Sequence, residues 1–383
     1  MSQWPMVKLG DVCERKIPKW DRNGKKKYID ISTVSPETKT VESPQDVLGE
    51  DAPSRAQQII QTDDVLVSTV RPNLNTVAKI PSTFNGHIAS TGFCVLRATE
   101  KIDPGFLFHF VQTQAFIQQC INKSTGISYP STTANKIREI QIPLPTLEEQ
   151  RRIAQVLTQT SLNISNTKQR VDLLDTICRT PIFANPSRPS TELKKYIRTI
   201  STGKSVKDTS DPNSGNKILK ISAVTSGFFK GNETKYLPVE YSPKESHAVH
   251  YGDLLVSRAN TSEMIGASAL VDQNESNVYL PDKLWKIIPT EDVPKEAIWH
   301  LLQLPTIRKR MSQVATGSSG SMKNISQRSF LNVEVPHLTL SEISDITETV
   351  KRILSTRKLL LKQLTLLEEL HQSLATRAFA GQL

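Results

Sequence analysis

The chain has 383 residues, of which 37% are hydrophobic and 22% are charged, and its formal net charge is +10. No apolar run is long enough to cross a bilayer, the first residues lack the pattern of a signal peptide, and the four cysteines are too scattered to indicate a disulfide framework or a zinc site. We therefore expect a cytoplasmic protein of at least two domains. The basic charge favours a polyanionic partner, most often nucleic acid, although many proteins are mildly basic without one.

The first part of the chain predicts a mixed α+β globule. "KYIDIS" (27–32) alternates apolar and polar residues, as a half-buried strand does, and "DVLVS" (64–68) is typical of a buried strand behind an acidic turn. A polar loop (69–76) follows, then a predicted helix over residues 104–122 and a loop rich in Gly, Ser, Thr and Asn. The globule ends with a predicted strand in "EIQIPL" (139–144).

A long helix is predicted to begin directly after that strand, in "IPLPTLEEQRRIA" (142–154). Thr146 and Glu149 match a capping box, in which the hydroxyl and the carboxylate satisfy free amides of the first helical turn. The apolar residues that follow recur at alternating steps of four and three, which indicates a coiled coil. An amphipathic helix that lies on its own domain is the alternative. Pro181 ends the helix, and "NPSRPS" (185–190) indicates a linker.

The second part of the chain repeats the first in the same order. "KILKIS" (217–222) and "DLLVS" (253–257) repeat the two strands, and a polar loop (257–268) follows them. The helix predicted over residues 294–314 contains Pro305, which should break or kink it. Such a repeat of ordered segments indicates a duplicated unit.

The junction between strand and long helix is repeated as well. Pro143 and Ile153 recur 193 positions later as Pro336 and Ile346, after the predicted strand "NVEVPHL" (332–338), and Thr339 with Glu342 repeats the capping box. The predicted coiled-coil residues are Ile153, Leu157, Ile164, Val171 and Leu174 in the first helix and Ile346, Val350, Ile353, Leu360, Leu364 and Leu367 in the second. Polar residues interrupt both series, namely Thr160, Thr167, Arg357 and His371, and such mixed series suit the pairing of two different helices.

The predicted fold class is α+β, with two similar globular domains in a pseudo-twofold arrangement, joined by two long helices that form an antiparallel coiled coil. We place the first globule at residues 1–145, the first helix at 146–184, the second globule at 185–338 and the second helix at 339–383. The helix pair is predicted to act as a rigid spacer between two like domains.

The chain resembles the specificity subunit of type I restriction–modification systems. The resemblance rests on the order of domains, on "IPLPTLEEQRRIA" at the first junction, on "GDLLVSR" (252–258), on the "STG" and "ATG" loops, and on "LATRAFAGQL" (374–383). It covers essentially the whole chain. The first half departs from the family pattern in "TDDVLVSTV" (62–70), which lacks the usual Gly-Asp and Arg.

The resemblance implies a non-catalytic subunit that binds double-stranded DNA. Each globule would be a target recognition domain that reads one part of a split sequence. The helices would set the spacing and dock two modification subunits, which use S-adenosylmethionine to methylate adenine. Restriction subunits, which use ATP and Mg²⁺, would join this core. The chain itself would bind no cofactor and no metal.

The residues indicate no catalytic set. "STGKS" (201–205) resembles the end of a phosphate-binding loop, but Arg198 stands where the first glycine is required. His247 and His250 have helical spacing without a third ligand nearby. A nuclease or methyltransferase with atypical motifs is one alternative, and a stand-alone DNA-binding regulator with two reading heads is another. The missing cofactor motifs argue against the first, and the long helix pair argues mildly against the second.

The candidate DNA contacts lie in the polar loops, because Arg, Asn, Ser, Thr and Lys side chains read base edges. In the first globule they are Arg71, Asn73 and Asn75 in one loop, and Ser128, Tyr129, Thr132, Asn135 and Lys136 in another. In the second globule they are Arg258 and Asn260, and Ser318, Ser319, Lys323 and Asn324. Lys25, Lys26 and Lys27 are predicted to contact phosphates. For any one of these residues the alternative is an ordinary solvated side chain.

Overall fold

A computed structural model describes residues 4–126, 130–182, 188–206, 213, 215–317 and 322–383. Contacts divide the chain into two compact units. Unit 1 comprises Met1–Gln169 and Lys362–Leu383, and unit 2 comprises Arg170–Leu361. Each long helix runs from one unit into the other, so each unit contains a part of both helices.

Unit 1 is built on two sheets that pack through buried apolar strands. Its elements are β1 (Met6–Lys8), α1 (Leu9–Val12), β2 (Lys25–Ile29), β3 (Gln45–Leu48), β4 (Ala56–Ile59), β5 (Val65–Ser68), β6 (Val77–Lys79), β7 (Ile88–Ser90), β8 (Phe93–Leu96), α2 (Pro104–Phe110), α3 (Gln114–Asn122), α4 (Ala134–Arg138), β9 (Gln141–Pro143) and α5 (Leu147–Cys178). The sheets have the orders β3-β2-β7-β4 and β6-β5-β8, and β1 pairs with β9. All four residues of β5 are buried, as its uninterrupted apolar sequence predicts.

Unit 2 repeats this plan. Its elements are β10 (Ser190–Glu192), β11 (Ile197–Thr202), β12 (Lys217–Leu219), β13 (Thr234–Tyr236), β14 (Leu254–Ser257), β15 (Ala259–Asn260), β16 (Ser268–Leu270), β17 (Val278–Tyr279), β18 (Leu284–Pro289), α6 (Lys295–Gln303), α7 (Pro305–Val314), β19 (Lys323–Asn324), α8 (Gln327–Leu331), β20 (Glu334–Pro336) and α9 (Leu340–Phe379). The order β13-β12-β17 repeats β3-β2-β7, and β16-β14-β18 repeats β6-β5-β8. The pairs β2–β7 and β12–β17 are both parallel, and β10 pairs with β20 as β1 pairs with β9. The duplication and the α+β class predicted from the sequence are thus confirmed.

The helix predicted over residues 104–122 is wrong as a single helix. It is divided into α2 and α3, because Thr113 caps a new helix by accepting a hydrogen bond from the Phe116 amide. In unit 2 the break occurs where it was predicted. Leu304 is extended, with φ −65° and ψ 129°, and Pro305 opens α7.

The two capping boxes differ. At α9 the box is complete, since the Thr339 amide donates to Glu342 over 2.9 Å and the Glu342 amide donates to the Thr339 hydroxyl over 3.3 Å. At α5 the Glu149 amide donates to the Thr146 hydroxyl over 3.4 Å, but the Glu149 carboxylate binds Arg152 instead of reaching back. The prediction at the first junction is therefore only half right, because an Arg one helical turn later competes for the carboxylate.

Within each unit the segments of α5 and α9 run antiparallel. In unit 1, Thr160 accepts or donates a hydrogen bond of 2.7 Å with His371, and Lys168 forms an ion pair of 2.8 Å with Glu368. In unit 2, Arg357 forms an ion pair of 2.6 Å with Asp175. Every predicted coiled-coil residue is buried or half-buried. Three of the polar residues that interrupt the helices, Thr160, His371 and Arg357, thus meet a polar residue of the other helix, whereas Thr167 donates to the Asn163 carbonyl of its own helix over 2.7 Å.

The C-terminal end of α9 belongs to the core of unit 1. Ala378 is fully buried there, and the Phe379 ring packs against Phe106 and Phe110, with centroid separations of 5.0 and 5.5 Å. The described helices include none that is long and apolar enough to cross a membrane.

Candidate nucleic-acid interface

Each unit brings together the two polar loops that the sequence singled out. The exit loop follows the buried strand β5 or β14 and comprises residues 69–76 in unit 1 and 258–267 in unit 2. The facing loop comprises the described residues 123–126 and 130–133 in unit 1 and 315–317 and 322–326 in unit 2. In unit 1 the Arg71 amide donates to Pro130 and the Thr132 amide donates to Thr69, both over 2.8 Å. These bonds fix the two loops against each other.

The same connection recurs in unit 2 as a short ladder. Ala259 pairs with Asn324 and Asn260 pairs with Lys323, while the Ile325 amide donates to Arg258 over 3.0 Å. Four of the six residues predicted in unit 2 thus lie in one short segment of paired backbone. Ser318 and Ser319, like Ser128 and Tyr129 of unit 1, lie outside the described residues.

The predicted residues of unit 1 differ in exposure. Arg71, Asn73 and Asn135 are exposed and can reach a ligand, whereas Thr132 is buried and Lys136 is half-buried. The Lys136 ammonium donates to the Lys123 carbonyl over 3.0 Å. Arg71 and Asn73 form the exposed polar part of the exit loop. Asn135 and Lys136 were predicted to lie in the facing loop but belong to the short helix α4, which Thr133 caps.

Asn75 holds the exit loop in shape. Its backbone is left-handed, with φ +48°, and its side-chain amide donates to the Val111 carbonyl over 2.8 Å. The Lys39 ammonium donates both to the Asn75 carbonyl, over 2.6 Å, and to its side-chain oxygen, over 3.0 Å. Burial lowers the pKa of Lys39 to about 8. Because both amide groups are used within the protein, this geometry favours a positioning role for Asn75 over a direct base contact.

The exit loop of unit 2 contains donors without acceptors. Arg258 Nε and Asn260 Nδ2 are buried and have no hydrogen-bond partner among the described residues. The side-chain oxygen of Asn260 accepts a hydrogen bond from the Thr261 backbone amide over 2.9 Å. A buried donor without a partner costs about 1–3 kcal/mol, so these two atoms call for an acceptor that the described residues do not supply.

The three consecutive lysines of β2 are partly neutralised. Lys25 and Lys27 share Asp46, at 3.3 and 3.4 Å, and the Lys26 ammonium donates to the Gly86 carbonyl over 2.9 Å. One carboxylate among three ammonium groups leaves this edge positively charged. The prediction that these lysines contact phosphates stays a prediction.

The strands that lead into the exit loops are anchored by acidic residues that the sequence analysis did not single out. In unit 1, Asp64 accepts from Arg97 Nε and Nη2, both over 2.8 Å, and Asp64 is 1% exposed. In unit 2, Asp253 lies 3.2 Å from the Lys286 ammonium and 3.4 Å from that of Lys295. The signal available in the sequence was the Asp that precedes the apolar run in both copies.

Gln150 is another structural residue that the sequence analysis did not single out. It is 1% exposed at the start of α5, accepts from the Asp103 amide over 2.8 Å, and donates to the Pro145 carbonyl over 2.9 Å. This side chain joins α2, the junction and α5. Among the described residues there is no group of three or more His, Cys, Asp or Glu side chains that could hold a metal ion.

Comparison with known proteins confirms the resemblance stated above. Residues 1–175 match the family model described as the type I restriction modification DNA specificity domain. The chain is 26% identical to the type I restriction enzyme EcoKI specificity subunit of Escherichia coli K12, over 86% of this chain and 76% of that protein. It is 24% identical to the MjaVIII specificity subunit of Methanocaldococcus jannaschii, over 70% of this chain and 67% of that protein.

The fold is also shared with a solved structure. The type I restriction–modification S subunit from M. genitalium superposes with a TM-score of 0.60 over 99% of this chain and 96% of that chain, at 11% identity. This likeness concerns the fold alone.

Proposed function

Since residues 1–175 carry a type I restriction modification DNA specificity domain and the chain is similar to specificity subunits, we propose that it reads a two-part DNA sequence, one part with each unit. It acts without catalysis of its own and directs modification and restriction subunits to the site it has bound. The observation that carries the proposal is the loop pair, which occurs once in each unit on the same strand framework.

The loop pair suits base recognition for a physical reason. Arg and Asn side chains donate and accept in patterns that match guanine and adenine edges in the major groove. The buried donors Arg258 Nε and Asn260 Nδ2 have no acceptor among the described residues and would gain acceptors on DNA. The anchored strands β5 and β14 hold the exit loops in place before DNA arrives, which lowers the entropic cost of binding.

A duplicated plan with dissimilar loops would suit a DNA target that is split into two half-sites. The acidic residue before the framework strand recurs as Asp64 and Asp253, each with a basic partner that differs between the units, and the loops carry different side chains. Two such units would read two different half-sites. The antiparallel helices would fix the number of base pairs between the half-sites.

We assign the chemistry to partner subunits. Two modification subunits, one for each half of the duplicated chain, would bring S-adenosylmethionine, and restriction subunits would bring ATP and Mg²⁺. This chain would hold none of these groups. The assembly would act on cytoplasmic DNA.

The test is an exchange of residues 1–145 for the corresponding globule of a related subunit with a different target. The hybrid is co-expressed with modification subunits, and methylated adenines are mapped by sequencing. One half of the methylated site should change while the other half and the spacer stay the same. A change in both halves would refute separate reading. A chain that binds DNA but never co-purifies with a methyltransferase would instead be a stand-alone regulator.

A further inference from the structure

Unit 2 carries an open groove lined by lysines at the end of its framework strand β12. The groove has a volume of about 400 Å³, and its described lining contains four lysines, Lys204, Lys220, Lys235 and Lys283, and one acidic residue, Asp282. None of the four lysines was among the DNA contacts predicted from the sequence. The lining therefore carries more positive than negative charge, three units in excess by formal count.

The groove directly adjoins the exit loop of unit 2. The backbone carbonyl of Lys283 accepts from the Arg258 amide over 3.0 Å, so one residue contributes both to the groove and to the support of the loop. On the other side, a Cβ added to Gly203 would lie 1.8 Å from the Leu280 carbonyl oxygen. This close backbone approach, which only glycine permits, places Lys204 beside the segment that carries Lys283.

Three of these lysines, Lys204, Lys220 and Lys283, are poorly neutralised by the described residues of the chain. Lys220 has a distant ion-pair partner in Glu233, at 3.7 Å, and Glu233 also accepts from the Ser222 hydroxyl over 2.7 Å. Within the described part of the chain, neither Lys204 nor Lys283 has an ion-pair partner. Several like charges around one groove repel one another, so their presence there calls for an anionic ligand.

Comparison with unit 1 shows that the fold does not require these lysines. Residues 25–30 and 215–220 show the same order of exposed, half-buried and buried positions. In this alignment Asp30 of unit 1 is equivalent to Lys220 of unit 2. The equivalent groove of unit 1, about 320 Å³, has one basic and one acidic side chain, Arg55 and Asp30. The strand thus tolerates either charge at this position, and Lys220 is not needed to support it.

We propose that the lysine groove of unit 2 binds a phosphate group of the DNA backbone next to the exit loop. The inference rests on the proposed function and adds to it a contact that only one of the two units makes. Ammonium groups act as point charges for phosphate, and contacts with phosphate fix register without reading sequence. The groove would therefore set how the second unit sits on its half-site, while the exit loop reads the bases.

The test measures binding of the full chain to a labelled duplex of arbitrary sequence at several salt concentrations. Each phosphate contact contributes about 0.9 to the slope of log affinity against log salt. The double variant Lys220→Ala/Lys283→Ala should lower that slope by up to about 1.8. Lys220→Asp introduces the residue found at the equivalent place in unit 1, so it should fold and lower the slope by about 1. The control Lys244→Ala/Lys309→Ala removes the same charge from two exposed lysines of unit 2 outside the groove.

Unchanged slopes in Lys220→Asp and in the double variant, with folding verified by circular dichroism, would overturn the proposal. An equal loss in the control would overturn it too, because the effect would then come from overall charge. Inorganic phosphate should weaken binding of the wild type more than that of Lys220→Asp. These salt and phosphate measurements do not depend on which bases the protein recognises. Base recognition is measured separately, by mapping the methylated sites. Those sites should be the same for Lys220→Asp and the wild type.

Discussion

The buried ion pair at the base of the first exit loop gives the most direct test of how the framework holds a reading loop. Asp64→Ala removes three accepted hydrogen bonds of 2.8 Å, two from Arg97 and one from the Gln61 amide. It leaves the Arg97 guanidinium 9% exposed, with the Ile59 carbonyl at 3.0 Å and, as the remaining described carboxylate, the half-exposed Glu14 at 3.7 Å. Loss of one partner of such a pair costs about 3–5 kcal/mol, because a charge stays buried without compensation.

Unit 2 offers a milder counterpart of this change. The ammonium groups that face Asp253 belong to lysines whose side chains are 13% and 34% exposed, so they can turn towards water when the carboxylate is removed. We therefore expect Asp253→Ala to cost only about 1–2 kcal/mol. The double variant Asp64→Ala/Arg97→Met removes both charges of unit 1 and should recover most of the loss.

Hydrogen exchange of the intact chain is the suitable assay, because two units do not unfold in one two-state transition. Amides of β5 report on unit 1 and those of β14 on unit 2. A loss of 3 kcal/mol should accelerate exchange in β5 about 150-fold, at 1.36 kcal/mol for each tenfold change. Acceleration of less than tenfold, or a double variant as unstable as Asp64→Ala, would refute the explanation by an uncompensated buried charge.

Three further predictions concern pH, base reading and spacing. Burial lowers the pKa of His109 to about 3, so only the unfolded state binds its proton as the pH falls below 6.5. The stability present at pH 7 should fall by about 2 kcal/mol at pH 5 through this residue, measured by exchange in α2. His109→Gln should remove this part of the pH dependence and leave the part due to His371, whose pKa burial also lowers. Asn260→Ala should cost about 1–3 kcal/mol of binding free energy, and only on sites with the adenine that Asn260 contacts. Lys26→Ala should weaken binding to all duplexes alike and lower the slope of log affinity against log salt by about 0.9. A sequence-selective loss with Lys26→Ala would contradict its assignment to phosphate. Seven residues inserted between Thr160 and Ser161 keep the heptad pattern and lengthen the helix by roughly 10 Å. Mapped methylation should then show the same half-sites with a spacer up to about three base pairs longer. A shorter spacer would contradict the role of the helices in spacing.

The features that the sequence predicted well are those that depend on periodicity. Apolar residues at steps of four and three predicted which faces of α5 and α9 are buried, and Pro305 predicted the break before α7. These signals are local and strong, since a helix exposes one face and a proline cannot donate a backbone hydrogen bond. The duplication helped as well, because each strand was supported by its copy.

The features that the sequence did not predict depend on contacts between distant residues. Nothing near Asn75 reveals that Lys39 and Val111 take up its side chain, and nothing near Gln150 reveals Asp103. The Thr113 cap was hidden in an apolar run that otherwise looked like one helix. The lysine groove draws on four separate stretches of chain, from Lys204 to Lys283, so no single motif marks it.

The composition of unit 1 has a consequence for the order in which the chain folds during synthesis. Ala378 and Phe379 complete the core around Phe106, yet the ribosome makes them only after all of unit 2. At about 5–20 residues per second, the 192 residues of unit 2, Arg170–Leu361, delay this completion by roughly 10–40 s. Unit 2, being continuous in sequence, can close earlier, so the half of the protein that is translated first is the half that finishes folding last.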